Sequence, residues 1–335
     1  MLAAILREHA GEDAVLATRG NFNNDIGVPT MLLELEPRHR FAVIEMGMNH
    51  LGEISYLSRI TRPTVALVNN AGTAHIGEVG SVEAIARAKG EIFSGLDAFG
   101  VAIINADDAF ADYWRSVAGD RKTVDFGLNR KAIISASYEL SGTGSLITLR
   151  VPDGEFPVTL KVPGLHNVKN ALAAATAAFV LAIPPKKIVE GLHIYIGVAG
   201  RLKYSRLDTG DVVIDDSYNA NPESAQAALS VLGASPGQKV FVLGDMGELG
   251  DTAASLHADL GGFARRAGVD RLFGFGNFSA EAVRAFGTGG THFSNLADLE
   301  DALRELLDGT TTVLVKGSRS MRMERVVSAL IGEPL

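Results

Sequence analysis

Apolar residues in this chain fall into two kinds of run, and their alternation predicts an α/β protein. Three continuous apolar runs, Phe41-Ala42-Val43-Ile44, Thr64-Val65-Ala66-Leu67-Val68 and Val101-Ala102-Ile103-Ile104, each end in small or polar residues. Between and before them lie segments with apolar positions at helical spacing, such as Leu2, Ile5 and Leu6. Uninterrupted apolar strands separated by helices indicate a mostly parallel sheet covered on both faces. Ligands of such sheets bind beyond the carboxyl ends of the strands. That rule puts Glu45-Met46-Gly47, Asn69-Asn70-Ala71-Gly72 and Asn105-Ala106-Asp107-Asp108 at one functional edge.

The pattern then changes twice. From about Lys122 to Val162, short alternating strands and Gly-rich turns predict an antiparallel ribbon, followed by an Ala-rich helix over 167–181. After Gly197 a second alternation begins, with strands at Val212-Val213-Ile214, Val240-Phe241-Val242-Leu243, Arg271-Leu272-Phe273 and Val313-Leu314-Val315. Helices are expected near 222–232, 253–267, 296–307 and 321–330. The result is two domains, 1–197 and 198–335, the second a smaller doubly wound, Rossmann-like unit, with a hinge at Gly197–Gly200.

Composition narrows the function. A chain of 335 residues can build two cores, and 47% hydrophobic with 21% charged residues excludes wholesale disorder. A net charge of -8 argues against a basic nucleic-acid groove, although a local cation cluster can still hold a phosphorylated substrate. The absence of cysteine excludes disulfides, thiolate zinc sites and a cysteine nucleophile. The N-terminus has no basic region ahead of its apolar stretch, and the longest apolar run, 171–183, is too short to span a membrane. A soluble, cytoplasmic protein is expected.

Lys89 carries the strongest chemical signal. Residues 81–96 read as a helix with Ser81 as N-cap, and Lys89 falls on its apolar stripe between Ile85 and Ile92. Such a lysine either snorkels its ammonium to the surface or stays desolvated, which disfavours the cation and raises nucleophilicity. A desolvated amine can take up CO2 as a carbamate, turning a cation into an anionic oxygen ligand. Glu45 closes the first strand run and His75 lies just past the second. Carboxylate, imidazole and carbamate together suit Mg2+ or Mn2+ better than zinc. Taken singly, each also reads as a solvated strand end.

Other clusters read as anion or nucleotide contacts. The loop over residues 20–29 contains Asn24, and Asn167 and Asn170 share a face at the start of the Ala-rich helix. An ordinary Asn/Gly turn is the readier account of the first taken alone, and an N-cap with one solvated Asn accounts for the second equally well. The strand end Asp215-Asp216-Ser217-Tyr218-Asn219 is harder to read as packing, because two adjacent aspartates follow a buried strand. Leu243-Gly244-Asp245-Met246-Gly247-Glu248-Leu249-Gly250 forms a Gly-rich strand-to-helix turn. Lys316-Gly317-Ser318-Arg319-Ser320 places two cations and two hydroxyls before a helix, which suits a carboxylate or phosphate. Arg201, alone after Gly200, could reach a phosphate.

In order along the chain, GNFNNDIGVP, VIEMGMNHLGEI, ALVNNAGTAHI, ARAKGEIFSGL, PGLHNVKNALAAA, GRL, DDSYNANPES, VLGDMGELG and LVKGSRSMRMERV resemble the Mur ligase family. DDSYNANP and KGSRS resemble the member that adds D-alanyl-D-alanine, where other members carry strand ends of the DYAHTP or DNPR kind; folylpolyglutamate synthase is a poorer match. The resemblance implies ATP-dependent ligation of D-alanyl-D-alanine to UDP-N-acetylmuramoyl-tripeptide through an acyl phosphate, in peptidoglycan precursor synthesis. It implies ATP and Mg2+ as cofactors, a monomer, and no nucleic-acid or membrane partner. By the same resemblance, Lys89 would be the carbamylated lysine, with Glu45 and His75 as Mg2+ ligands. Asn167, Asn170 and Asn24 would contact the nucleotide, with Asp216 on the ribose and Arg201 on the γ-phosphate. Lys316, Ser318, Arg319 and Asn219 would hold the incoming dipeptide or the acceptor carboxylate.

One departure is large. The family's ATP-binding domain carries a G-x-x-x-x-G-K-[ST] phosphate loop, and this chain contains no Gly-Lys dipeptide. The uncapped helical start suggests that the central domain is N-terminally truncated, so the isolated chain is expected to bind ATP poorly and not to ligate. A non-catalytic remnant that binds only nucleotide or a partner is the alternative. A nicotinamide dehydrogenase is disfavoured, because no G-x-G-x-x-G follows a strand.

Overall fold

The parallel runs of the first half pair in two separate places rather than in one sheet. In the computed structural model, which describes residues 1–72, 79–141 and 144–332, β1 (Val15–Ala17) pairs with β2 (Phe41–Val43) as a two-stranded parallel sheet. A six-stranded sheet runs β3 (Val65–Val68), β4 (Val101–Asn105), β5 (Lys122–Gly127), β6 (Ile134–Ser141), β7 (Gly144–Val151) and β8 (Gly154–Leu160) in sequence order. The expectation that Glu45 ends a strand of this larger sheet is therefore corrected. β2 is three residues long and its central Ala42 is exposed, so it lacks the cover a central strand needs on both faces.

β3 to β6 pair in parallel, and β6, β7 and β8 form the antiparallel ribbon, which is thus continuous with the sheet. On one face Ala66, Val68, Ala102 and Ile104 pack against Phe93 and Trp114, whose indole N–H reaches the Ala86 carbonyl at 2.9 Å. Burying side chains of this size contributes about 1.5–3 kcal/mol each. The Ala-rich helix α6 (Leu165–Val180) lies against β3 to β7, its small side chains permitting close approach. α1 (Leu2–Ala10) buries Ile5 and Leu6 against α6 and α7 (Pro185–Ile194). A Cβ on Gly191 of α7 would meet the Ile5 backbone at 2.4 Å, so only glycine allows that contact. Lys187 donates to Glu8 at 2.8 Å across the same pair of helices.

The helix expected from Ser81 begins as read, with Ser81 accepting from the Ala84 N–H at 3.1 Å. It ends earlier: α4 spans Val82–Gly90, and Glu91–Gly95 continues as a tighter 3-10 turn. Between them in sequence lie α2 (Gly27–Leu33) and α3 (Glu53–Thr61) before it, and α5 (Ala111–Ala118) after it.

The chain divides into a first unit, Met1–Lys161 with Leu165–Tyr195, and a second, Val162–Gly164 with Ile196–Leu335. The second unit holds a six-stranded sheet in the order β13-β12-β11-β14-β10-β9, made of β9 (Lys203–Arg206), β10 (Val212–Asp216), β11 (Lys239–Gly244), β12 (Arg271–Phe275), β13 (Gly290–Phe293) and β14 (Thr312–Lys316). All pair in parallel except the edge strand β9. Ile214, Phe241, Leu243, Leu272 and Leu314 face α8 (Pro222–Gly233), α9 (Ala253–Arg266) and α10 (Ser279–Phe286). Val213, Val240, Val242, Val313 and Val315 face α11 (Leu296–Arg304) and α12 (Glu324–Ile331). This alternation between two covered faces is the doubly wound pattern. β9, β13 and α10 are additions to the elements the sequence pattern indicated. Among the described residues no helix is long and apolar enough to cross a membrane.

Candidate functional site

Each unit gathers its chemistry at the carboxyl ends of its strands. In the first unit, β3 and β4 end side by side in Asn69-Asn70 and Asn105 to Asp108. Asn105 donates to the Asn69 carbonyl at 2.9 Å, and Asn69 donates through its own amide to the Asn170 oxygen at 2.9 Å. This relay fixes Asn170 of α6 on the strand tips. Asn167 lies one turn earlier on the same helix. Asp108 accepts from the Ala71 N–H at 3.0 Å and the Phe110 N–H at 2.9 Å, and so shapes the turn after β4.

Lys89 joins this cluster. Its ammonium donates to the Asn70 carbonyl at 3.0 Å from the half-buried last turn of α4. Burial lowers its pKa below the ordinary lysine value, and the nearby Asp108 carboxylate pulls the other way. Among the described residues the Lys89 amine is thus partly desolvated and bonded to a backbone carbonyl. His75 lies outside the described residues.

Glu45 is exposed beyond β2, accepting from Asn23 Nδ2 at 2.9 Å while its own N–H donates to Thr18 Oγ1 at 2.8 Å. Asn24, its near neighbour in that loop, uses its side-chain oxygen to accept from Gly27 N–H at 2.8 Å at the start of α2. Its oxygen is a local helix cap, the reading that Asn/Gly turns favour. Among the described residues no three acidic, histidine or cysteine side chains converge as a metal site.

The second unit presents a denser site. β10, β14 and β11 are neighbours, so the loops after them adjoin. Lys316, 2% exposed, donates to Asp216 Oδ2 at 2.5 Å and to the Asn219 carbonyl at 2.9 Å. Asp216 Oδ1 accepts from the Leu202 N–H at 3.1 Å. Burial pushes the Asp216 carboxyl up, opposed by the Lys316 ammonium beside it. Asp215 accepts from the Gly200 N–H at 2.8 Å, and from the Ser217 N–H and hydroxyl at 3.1 and 2.5 Å. The two aspartates thus bracket Arg201 from below: the residue before it and the residue after it are both tied to β10.

Sequence reasoning treated Lys316 and Ser318 as open ligands, and the geometry gives them internal partners. Ser318 accepts from the Gly247 N–H at 2.5 Å and donates to the Ala220 carbonyl at 3.4 Å, so its hydroxyl pins the tips of β10, β11 and β14 together. Arg201 and Arg319 are exposed cations at these loops. Both lie over the Tyr218 ring, at 4.5 and 6.0 Å from its centre, and Arg319 also pairs with Glu324 at 3.1 Å. Asn219, whose backbone serves Lys316, is exposed, and its side-chain oxygen accepts from the Ala220 N–H at 2.9 Å.

Tyr218 and His257 were missed as contributors. The signal for Tyr218 was its place between paired acids and Asn219 at a strand end. His257 is fully buried in α9; its Nε2 accepts from the Met246 N–H at 2.9 Å and its Nδ1 reaches the Ala253 carbonyl at 2.7 Å. It therefore stands neutral under the Gly-rich loop. Asp245 accepts three backbone N–H groups, from Asn277, Phe278 and Ser279, and caps α10.

Comparison with known proteins gives the same assignment along the chain. Residues 1–178 match the Mur ligase middle domain, and residues 200–319 match the Mur ligase, glutamate ligase domain. The chain is 43% identical over 334 residues to the UDP-N-acetylmuramoyl-tripeptide–D-alanyl-D-alanine ligase of Escherichia coli (strain K12), covering 98% of this chain and 73% of that protein. A crystal structure of MurF from Acinetobacter baumannii is similar with a TM-score of 0.92 and 38% identity, over 99% of this chain and 74% of that one. The Thermotoga maritima MurF ligase in complex with ADP is similar with a TM-score of 0.85 and 25% identity, over 99% of this chain and 77% of that one.

Proposed function

The chain belongs to the Mur ligase family, and from that premise we propose that it carries the lysine-centred and dipeptide-side parts of the machinery that joins D-alanyl-D-alanine to UDP-N-acetylmuramoyl-tripeptide. In that reaction the tripeptide's terminal carboxylate takes the γ-phosphoryl group of ATP. The dipeptide amine attacks the acyl carbon, and phosphate leaves as the amide forms. The setting is peptidoglycan precursor synthesis in the cytoplasm, by a monomer.

The observation that carries the reading is the Lys89 amine, half-buried on the β3 tip with its pKa lowered by burial. A lowered pKa leaves more neutral amine to add to CO2, and the carbamate would then face the strand-end loops. With Glu45 and His75 it would hold Mg2+, which neutralises charge on phosphoryl oxygens during transfer. Asn167 and Asn170 would present amides to the adenine. In the second unit Lys316 and Asp216 cancel each other's charge, so that pair orients the loop. The net positive charge available to a phosphoryl or carboxylate oxygen comes from Arg201 and Arg319.

A second reading rests on one sequence fact. The 335 residues contain no G-x-x-x-x-G-K-[ST] run, so this polypeptide by itself is proposed to hold ATP weakly and to leave ligation undone. Both readings meet in one assay: phosphate release by the 335-residue protein, and by the same protein fused behind a family segment carrying the phosphate loop. The fused form should require ATP, Mg2+, tripeptide precursor and D-alanyl-D-alanine together. Release that persists without the dipeptide overturns the ligase assignment, and full release by the unfused protein overturns the second reading.

A further inference from the structure

Arg201 and Arg319 stand far apart in the sequence, yet both guanidinium groups sit over one ring, that of Tyr218. Like charges gather only where something offsets their repulsion. Asp216, already paired with Lys316, lies close enough to act on Arg201 through space, and Arg319 shares Glu324 from an exposed position. The negative face of the aromatic ring is the partner common to both.

The ring is held on a fixed base. The Tyr218 N–H donates to the Gly200 carbonyl at 3.0 Å, beside the start of the Arg201 segment. Ser217 on one side is tied to Asp215, and Asn219 on the other receives Lys316. Gly200 is packed so closely that an added Cβ would meet Tyr218 Cβ at 2.9 Å. Backbone clamps on both sides thus aim the ring, and the ring in turn aims two cations from distant parts of the sequence.

We propose that Tyr218 is a positioning residue that holds Arg201 and Arg319 as one two-pronged clamp for an oxyanion, either a phosphoryl group or a carboxylate. Guanidinium forks match the planar or tetrahedral oxygens of both. Each cation–π contact at an exposed site multiplies the population of the aimed conformer by roughly 2–5, so losing both should weaken anion binding on the order of tenfold. The clamp rests on the ligase reading only for which anion it meets.

The test uses the 335-residue protein and arginine side-chain NMR, so it needs no turnover; the clamp and the ligation assay can fail independently. Wild type, Tyr218→Phe and Tyr218→Leu are titrated with inorganic triphosphate and, separately, with D-alanyl-D-alanine. The Arg201 and Arg319 Nε–H resonances should show ring-current shifts in wild type and in Tyr218→Phe, and lose them in Tyr218→Leu. Affinity should survive in Tyr218→Phe and fall about tenfold in Tyr218→Leu. Response to triphosphate assigns the phosphoryl group, and response to the dipeptide assigns its carboxylate. Wild-type affinity in Tyr218→Leu, equal loss in Tyr218→Phe, or no movement of either arginine with either anion at millimolar concentration overturns the clamp. If Tyr218→Leu fails to fold, Arg201→Lys and Arg319→Lys carry the test with the ring intact. Their losses should be non-additive, as for two prongs of one site, and strictly additive losses overturn the proposal.

Discussion

Lys316 and Asp216 meet at 2.5 Å inside the second unit, one at the end of β14 and the other at the end of β10. Both are almost wholly buried, so removing either leaves an uncompensated charge. Lys316→Met or Asp216→Asn should each cost about 3–5 kcal/mol in denaturant unfolding. The double substitution should recover much of that loss. Simple addition of the two single costs would show that the groups do not act as a pair.

His257 makes stability depend on pH. Burial lowers its pKa below the ordinary value, opposed by the Ala253 carbonyl and the Asp245 carboxylate. The unfolded chain therefore takes up this proton more readily than the folded one. The contribution is complete above the unfolded value of about 6.5 and is lost as pH falls below it. Urea unfolding between pH 7.5 and 5.5 (about one unit either side of that value) should show falling stability in wild type and a flatter profile in His257→Gln. His257→Gln should also be less stable at neutral pH by about 1–3 kcal/mol, since a buried hydrogen bond is disturbed.

Lys89 should exist as a carbamate when CO2 is supplied. A carbonyl resonance from carbon-13-labelled CO2 should attach to wild type and be absent in Lys89→Arg, which keeps the charge but not the amine. In the fused, ligating form, Lys89→Ala should lower turnover on the order of 100- to 1000-fold, as loss of one electrostatic stabiliser does elsewhere. Undiminished turnover would remove Lys89 from the mechanism.

Gly200→Ala should destabilise the second unit. Gly200 has φ of 74°, a left-handed conformation that costs an L-residue about 1–2 kcal/mol before any clash. The added methyl would also press on Tyr218 at 2.9 Å. Thermal unfolding measures the cost, and an unchanged midpoint would mean that this backbone relaxes freely.

The sequence was most legible where strands are buried on both faces. β3 is apolar throughout, β4, β10, β11 and β14 each carry an apolar run of three or more residues, and all five form where those runs fall. Edge strands escaped notice because pairing rather than an apolar pattern holds them: β9 reads Lys-Tyr-Ser-Arg and β13 Gly-Thr-His-Phe. The place of β2 was hidden because its partner, β1, is only three residues long.

At the site, the helical stripe placed Lys89 on a buried face but could not choose between a snorkelling ammonium and a desolvated amine, because periodicity fixes the face and not the path of a long side chain. The fate of Lys316 depended on Asp216, one hundred residues away, which no local pattern encodes. It could have been suspected from the strand, as Thr-Val-Leu-Val-Lys carries the lysine straight on from a buried run. The gathering of Arg201 and Arg319 on Tyr218 was illegible for the same reason. Their meeting is a product of strand order, which brings the ends of β10 and β14 together.

The hydrogen bonds from Gly200 to Asp215 and from Leu202 to Asp216 have a mechanical meaning for the opening stretch of the second unit. A tether anchored on both sides of Arg201 has no slack there, so that guanidinium takes its bearings from the second unit's sheet. Gly197, just upstream of this anchored stretch, has a φ of 93°, a conformation that favours glycine. Lengthening the connection ahead of Gly197 should therefore leave Arg201 in register with Tyr218, whereas one residue inserted between 200 and 202 should throw it out.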